Sequence, residues 1–244
     1  MSILAFDTAT RATAVALDGT ELRDDPPPGV RPRHTSRLMP LIAELLDQTG
    51  TSWSQIERIA VGTGPGTFTG LRIGVASARA LARARRIPLV GVSTLESLAL
   101  TAVSRREPGS RERQKHERPE VVLAVLDARR GEVFAAGWGV GEAGAAFDTP
   151  LLRPAALDPG ALAEAAAELA GPALAIGDGA VEFRTVLERS GAVIPDDGSS
   201  LHRVTAVGHV ERARVLSACD PAAVLPQYIR LPDAELARSA SRKP

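Results

Sequence analysis

The sequence predicts an α/β protein built from two related lobes, and three observations carry that prediction. An apolar, strand-like run ending in aspartate and followed by a hairpin occurs twice, at Ser2–Asp7 and at Val121–Asp127. A short strand closing in Gly-x-Gly also occurs twice, as Ile59-Ala-Val-Gly-Thr-Gly64 and as Leu174-Ala-Ile-Gly-Asp-Gly179. A helical stretch precedes each of these strands, Ser36–Gln48 in the first half and Gly160–Ala170 in the second, and another helix follows. Identity between the halves is weak, so they share a plan rather than a detectable repeat. The plan predicts lobes at 1–104 and 120–231 facing one another across a cleft. Residues 105–119, charged and proline-bounded, form the expected linker, and 232–244 reads as a disordered tail.

Taken in order, Ser2–Asp7 is followed by a turn and a second strand through Ala12 to Leu17. Asp24 to Arg33 contains three successive prolines and reads as an exposed loop. After the first helix and the strand at Ile59 comes a segment with four glycines and Pro65, running from Gly62 to Gly70 and into a helix. Glycine permits positive φ and close backbone approach, while proline fixes its own φ. Amides ahead of a helix could cradle an anion, and the same residues could build a tight turn that meets no ligand. The lysine of a P-loop is absent, which excludes that motif. In the second half a turn at Ala128-Arg-Arg-Gly131 leads to a strand from Val133 to Trp138. A late helix from about Thr205 to Cys219 is expected to pack back on the sheet of the N-terminal lobe.

Composition narrows the function classes. The 244 residues suffice for one large domain or two small lobes around a core. Acidic and basic residues balance at 29 each, so no global field draws in nucleic acid or membrane. Lys115 and Lys243 are the only lysines; the other basic residues are arginine. Cys219 stands alone, which rules out an internal disulfide, and its apparent helical setting predicts a packed thiol. No secretory signal or membrane-length apolar run is present, and the expected location is the cytoplasm.

Two helices have surfaces that invite a partner. Leu38, Met39, Leu41, Ile42, Leu45 and Leu46 span an arc of about 160°, wider than docking on one sheet requires. Such an arc serves a core and a partner, or simply a well-buried helix. On the following helix Gly70, Gly74, Ser77 and Leu81 line one stripe, while Arg72, Arg79 and Arg83 line another. Glycine inside a helix costs about 1 kcal/mol against alanine, so closer packing should offset it. The arginine stripe faces water, carboxylates or RNA phosphate.

Phe6-Asp-Thr-Ala-Thr10, His34-Thr-Ser-Arg-Leu-Met-Pro40, Gly64-Pro-Gly-Thr-Phe-Thr-Gly-Leu-Arg-Ile-Gly74 and Gly91-Val-Ser-Thr-Leu95 appear in order. Asp127-Ala-Arg, Gly131-Glu-Val133 and Pro226-Gln-Tyr-Ile-Arg230 follow. With these motifs the chain resembles the bacterial TsaB (YeaZ) family, most strongly over residues 1–100. The resemblance implies a two-lobed actin-like ATPase or sugar-kinase fold. It also implies a non-catalytic scaffold in the installation of threonylcarbamoyl on the tRNA adenosine 3′ of the anticodon. TsaD makes the transfer in that family and TsaE is a further partner, so tRNA is met only through the complex. The resemblance further implies a heterodimer with TsaD through N-lobe helices and a homodimer when the chain is alone. The candidate contact residues are Leu38, Leu41, Ile42, Leu45, Gly70, Gly74, Ser77 and Leu81.

The catalytic relative would need a metal held by His-x-x-x-His on a helix, and here Leu38 stands four residues after His34. His116, His202 and His209 are not spaced to replace the missing ligand, so His34 reads as a polar helix-start residue. Asp7, Thr8 and Thr10 could contact a nucleotide and hydrated Mg²⁺, or satisfy turn amides. The alternative function is therefore a nucleotide-dependent enzyme using an Asp7 cleft. For the scaffold reading no cofactor is required by this chain, and ATP with Mg²⁺ enters at the level of the complex. A serine-nucleophile reading finds no elbow around Ser36, Ser77 or Ser93.

Overall fold

A computed structural model describes residues 1–27, 29–104, 119–141, 144–145, 149–169 and 171–230. Residues 105–118 of the expected linker at 105–119, His116 among them, and the expected tail at 232–244 lie outside the described residues.

The first half opens with β1 (Ile3–Asp7), β2 (Thr13–Leu17) and β3 (Thr20–Asp24), an antiparallel meander. It continues with α1 (His34–Gln48), β4 (Arg58–Gly64), α2 (Phe68–Arg85), β5 (Leu89–Ser93) and α3 (Thr94–Ser104). β4 and β5 join in parallel, giving the strand order β3-β2-β1-β4-β5. The second half repeats the opening with β6 (Val121–Arg129) and β7 (Glu132–Gly141), followed by β8 (Gly144–Ala145) and β9 (Leu152–Leu157). Then come α4 (Pro159–Ala167), β10 (Ala173–Ile176), α5 (Asp178–Glu182), α6 (Arg184–Leu187) and α7 (Ala206–Val215). β10 pairs with β6 in parallel, as β4 does with β1, and β9 extends the sheet beyond β7.

The packing forms layers, each sheet burying both faces. Leu38, Leu41, Ile42 and Leu45 of α1, with Val75, Ala78 and Ala82 of α2, cover the outer face of the first sheet. Its inner face, from Ile3, Ala5, Ala14 and Ala60, meets Ala206, Val210 and Ala213 of α7. α3 packs beside α7 and lays Leu95, Leu98 and Ala102 on the second sheet near Val122, Ala124 and Trp138. α4 closes the far side with Leu162 and Ala166. The architecture is the two-lobed, duplicated α/β arrangement of actin-like folds, with α3 and α7 between the sheets.

Several boundaries differ from expectation for local reasons. β3 is not expected as a strand from the sequence, because Thr20-Glu-Leu-Arg-Asp24 shows little apolar alternation. α7 ends at Val215, so Cys219 lies beyond it, pairs as an isolated bridge with Leu89, and is exposed rather than packed. Asp158 caps α4 by accepting from the Gly160 amide at 2.8 Å, with Pro159 at the first helical position.

Candidate functional site

The C-terminal ends of β1 and β4 meet the N-terminus of α2, where the glycine-rich segment lies. Asp7 closes β1 and is buried. Its Oδ1 accepts from the Ala9 amide at 2.6 Å, while Oδ2 accepts from the Thr94 hydroxyl at 2.9 Å. His209 Nε2 lies 3.0 Å from the same Oδ2. The His209 Nδ1 side reaches the Ser97 hydroxyl at 2.7 Å and the Thr205 carbonyl at 3.0 Å. Thr101 and Thr205 add a hydroxyl pair at 2.9 Å. This polar network ties β1 to both central helices.

Burial is the largest influence on Asp7 and opposes its ionisation, and the hydrogen bond and charge of His209 lead the groups that act against it. Together with the Ala9 amide and Thr94 they hold the carboxyl below the usual carboxylate range. Gly62 is required beside it, since a Cβ there would stand 1.9 Å from Asp7 Oδ2. Serine, histidine and aspartate here form a chain of contacts, but all three are buried and Ser97 donates to the Thr205 carbonyl at 3.0 Å. Its hydroxyl meets no space for a substrate, so the chain of contacts is a structural clamp rather than a hydrolase triad.

Thr8 is buried and donates to the Gly70 carbonyl at 2.7 Å. A Cβ on Gly70 would come 1.9 Å from the Thr8 carbonyl oxygen, and one on Gly74 would come 2.4 Å from Thr8 Oγ1. The glycine stripe therefore admits the chain's own β1–β2 turn, not a second helix. Leu38, Leu41, Ile42 and Leu45 likewise face the core, at 2% exposure or less. These six positions are corrected as contact candidates, and a bulky residue at Gly74 would disturb the fold itself. Ser77 and Leu81 are half-buried. The outward surfaces of the two helices are instead Met39, Pro40, Ala43 and Glu44 on α1, with Ala76, Ala80 and Ala84 on α2.

Among the expected nucleotide contacts, Asp7 and Thr8 are committed to internal partners and only Thr10 is half-exposed. His34 begins α1, buried, with Nδ1 2.9 Å from the Thr13 hydroxyl. No group of three His, Cys, Asp or Glu that could hold a metal occurs among the described residues. No described helix is long and apolar enough to cross a membrane.

The second lobe treats its own aspartate differently. Asp127 is partly exposed, pairs with Arg129 at 2.8 Å, and donates its amide to Asp178 Oδ1 at 3.0 Å. Asp178 is open to solvent on one side and crowded on the others. That crowding pushes its carboxyl above the usual range, with the charge of Asp127 adding, against hydrogen bonds from the Asp127 and Gly179 amides.

Sequence reasoning missed two features. His209 gave no spacing signal, because its partner Asp7 lies at the other end of the chain. The segment 219–230 was also unrecognised as a strap across both lobes. Gln227 donates its amide to the Thr63 carbonyl at 2.7 Å, Val224 enters the first core, and Arg230 reaches Glu132 of β7 at 2.6 Å.

Fold and site together define a two-lobed actin-like protein whose first-lobe aspartate is built into its interior. A family model described as TsaD: tRNA N6-adenosine threonylcarbamoyltransferase matches residues 25–168. The chain is 37% identical over 199 residues to the Escherichia coli tRNA threonylcarbamoyladenosine biosynthesis protein TsaB, covering 80% of this chain and 79% of that one. An uncharacterized protein of Mycobacterium tuberculosis is 31% identical, with 96% of this chain and 94% of its own length covered. The solved structure of YeaZ from Pseudomonas aeruginosa superposes with a TM-score of 0.72 at 28% identity, over 93% of this chain and all of that one. The chain belongs to the TsaB (YeaZ) family.

Proposed function

We propose that this chain is a non-catalytic subunit in tRNA threonylcarbamoyladenosine biosynthesis, acting by binding the transferase TsaD through the outward faces of α1 and α2. The observation that carries the reading is the small, apolar outer surface of that helix pair. Met39 is 44% exposed on α1, where Pro40 and Ala43 are also exposed, and Ala76 and Ala80 are exposed on α2. Small side chains let a partner's helices approach closely, and an interface of about 1,200–2,000 Å² lies within reach of two helices. The same face would pair two copies when the chain is alone. Internal commitment of Asp7 and Thr8 favours a scaffold over an enzyme using that site. ATP and Mg²⁺, where the complex needs them, are held by other subunits, with TsaE joining there and tRNA modified in the cytoplasm.

The test is light scattering of the purified chain, TsaD and their mixture. A heterodimer mass that replaces self-association is expected, and it should vanish in a folded Met39→Glu/Ala80→Glu variant. Undiminished heterodimer in that variant would place the contact elsewhere. Calorimetry with ATP and Mg²⁺ on the isolated chain addresses the enzyme alternative: binding heat that disappears in a folded Asp7→Asn variant would revive it.

A further inference from the structure

One solvent-facing line of α2 carries a charge pattern that the scaffold role leaves unused. Between Glu57 and Glu96 the chain has no carboxylate, yet it places Arg72, Arg79, Arg83 and Arg86 along and just past α2. At 100° per residue these four fall within about 60° of one another, and they extend over roughly 21 Å of helix axis. Arg72, Arg83 and Arg86 are exposed and Arg79 is half-exposed. Arg79, Arg83 and Arg86 make no ion pair among the described residues, and Arg72 meets only aromatic groups.

Several arginines elsewhere meet carboxylates. Arg33 and Arg37 share Asp24 at 2.6 and 3.3 Å, Arg212 meets Glu96 at 3.0 Å, and Arg184 meets Asp197 at 2.6 Å. On α2, Arg79, Arg83 and Arg86 stand on one line with Arg72, without such carboxylate partners among the described residues. Arg86 also occupies the left-handed region at φ 57°, a helix-ending position that glycine takes without the steric cost paid by other residues.

One end of the line has a stacking platform. Phe68 and Tyr228 are 38% and 41% exposed with centroids 5.1 Å apart. The Arg72 guanidinium lies 3.7 Å over the Phe68 ring, and its Nε donates to the Tyr228 hydroxyl at 3.0 Å. Arginines that track phosphates beside rings that accept bases are the two components of single-stranded nucleic-acid recognition. An acidic protein face would use the guanidinium line but gives no role to the exposed ring pair.

We infer that this line of α2 is a contact surface for the sugar–phosphate backbone of RNA, with an unpaired base stacking at Phe68 and Tyr228. The inference rests on the proposed role and identifies the tRNA substrate as the ligand of this chain as well as of its partner.

The test is filter binding of tRNA to the isolated chain and to its complex with TsaD, across a salt series, with heterodimer mass measured in parallel. Arg79→Glu/Arg83→Glu should weaken tRNA binding tenfold or more and lower the salt slope by about two, leaving heterodimer and melting temperature unchanged. Arg79→Lys/Arg83→Lys should restore both affinity and slope, since charge is what phosphate contact requires. Unchanged affinity and slope with an intact heterodimer would overturn the RNA surface while leaving the scaffold role standing. Loss of heterodimer in the glutamate variant would overturn it too, reassigning the line to an acidic protein face. If the wild-type chain forms no heterodimer, the scaffold role fails. The slope of the isolated chain then decides the RNA surface alone.

Discussion

The two lobes begin with the same strand, aspartate and hairpin, and they use that aspartate in opposite ways. In the first lobe Asp7 is enclosed by α3 and α7 and accepts from Ala9 and Thr94, with His209 completing the set. In the second lobe Asp127 stays at the surface, facing Arg129 and the Asp178 carboxylate. A histidine anchors each lobe as well, and again the chemistry differs. His202 accepts from the Gly177 amide at 3.2 Å and its other nitrogen faces the Pro195 carbonyl at 3.2 Å, so it touches only backbone. The difference teaches that a duplicated plan repeats an aspartate late in the opening strand without fixing what that carboxylate does. Asp7 closes β1, and Asp127 falls two residues before the end of β6. An aspartate at a strand end becomes a structural clamp when helices from both halves converge on it.

The largest effect should come from removing the clamp. Asp7→Ala leaves His209 and the Thr94 hydroxyl without their buried acceptor, and a cost of about 3–5 kcal/mol is expected in urea unfolding. A loss below 1 kcal/mol would mean that the contact contributes little. The same carboxyl gives the sign of the acid response. Its folded pKa lies below the ordinary value of 3.8, so its stabilisation is complete above that range and fades as pH falls through the lower folded value. Unfolding midpoints of the wild type should therefore drop below about pH 4, more steeply than those of Asp7→Asn.

A second, smaller break targets the close approach that supports Asp7 and Thr8. Gly70→Ala sets a methyl against the Thr8 carbonyl oxygen, and about 1–3 kcal/mol should be lost as the turn shifts. A neutral outcome would show that the turn yields freely. The smallest change belongs to the second lobe. Asp127→Ala removes an ion pair with the exposed Arg129 from a partly exposed carboxylate, and stability should move by no more than about 1 kcal/mol. A loss matching that of Asp7→Ala would erase the contrast between the lobes.

Much of the fold was legible because strand, aspartate and Gly-x-Gly patterns are local. Ile59–Gly64 and Leu174–Gly179 announce themselves within six residues each. The site was less legible because its orientation depends on distant partners. A helix wheel shows that Leu38, Ile42 and Leu45 share a face, but not whether that face meets its own sheet or another chain. Gly70 and Gly74 signal close approach without naming the approaching group, which is Thr8. His209 and Asp7 sit at opposite ends of the sequence, so no spacing rule connects them. Phe68 and Tyr228 are equally distant and meet only because the strap after α7 returns to α2.

The most direct measurement is hydrogen exchange of the chain with and without TsaD. The account predicts added protection within 35–48 and 69–84, the helices whose outer faces are free, with residues 5–9 and 205–210 around the Asp7 clamp unchanged. Protection confined to the clamp and the 219–230 strap, with both helices unaffected, would contradict it.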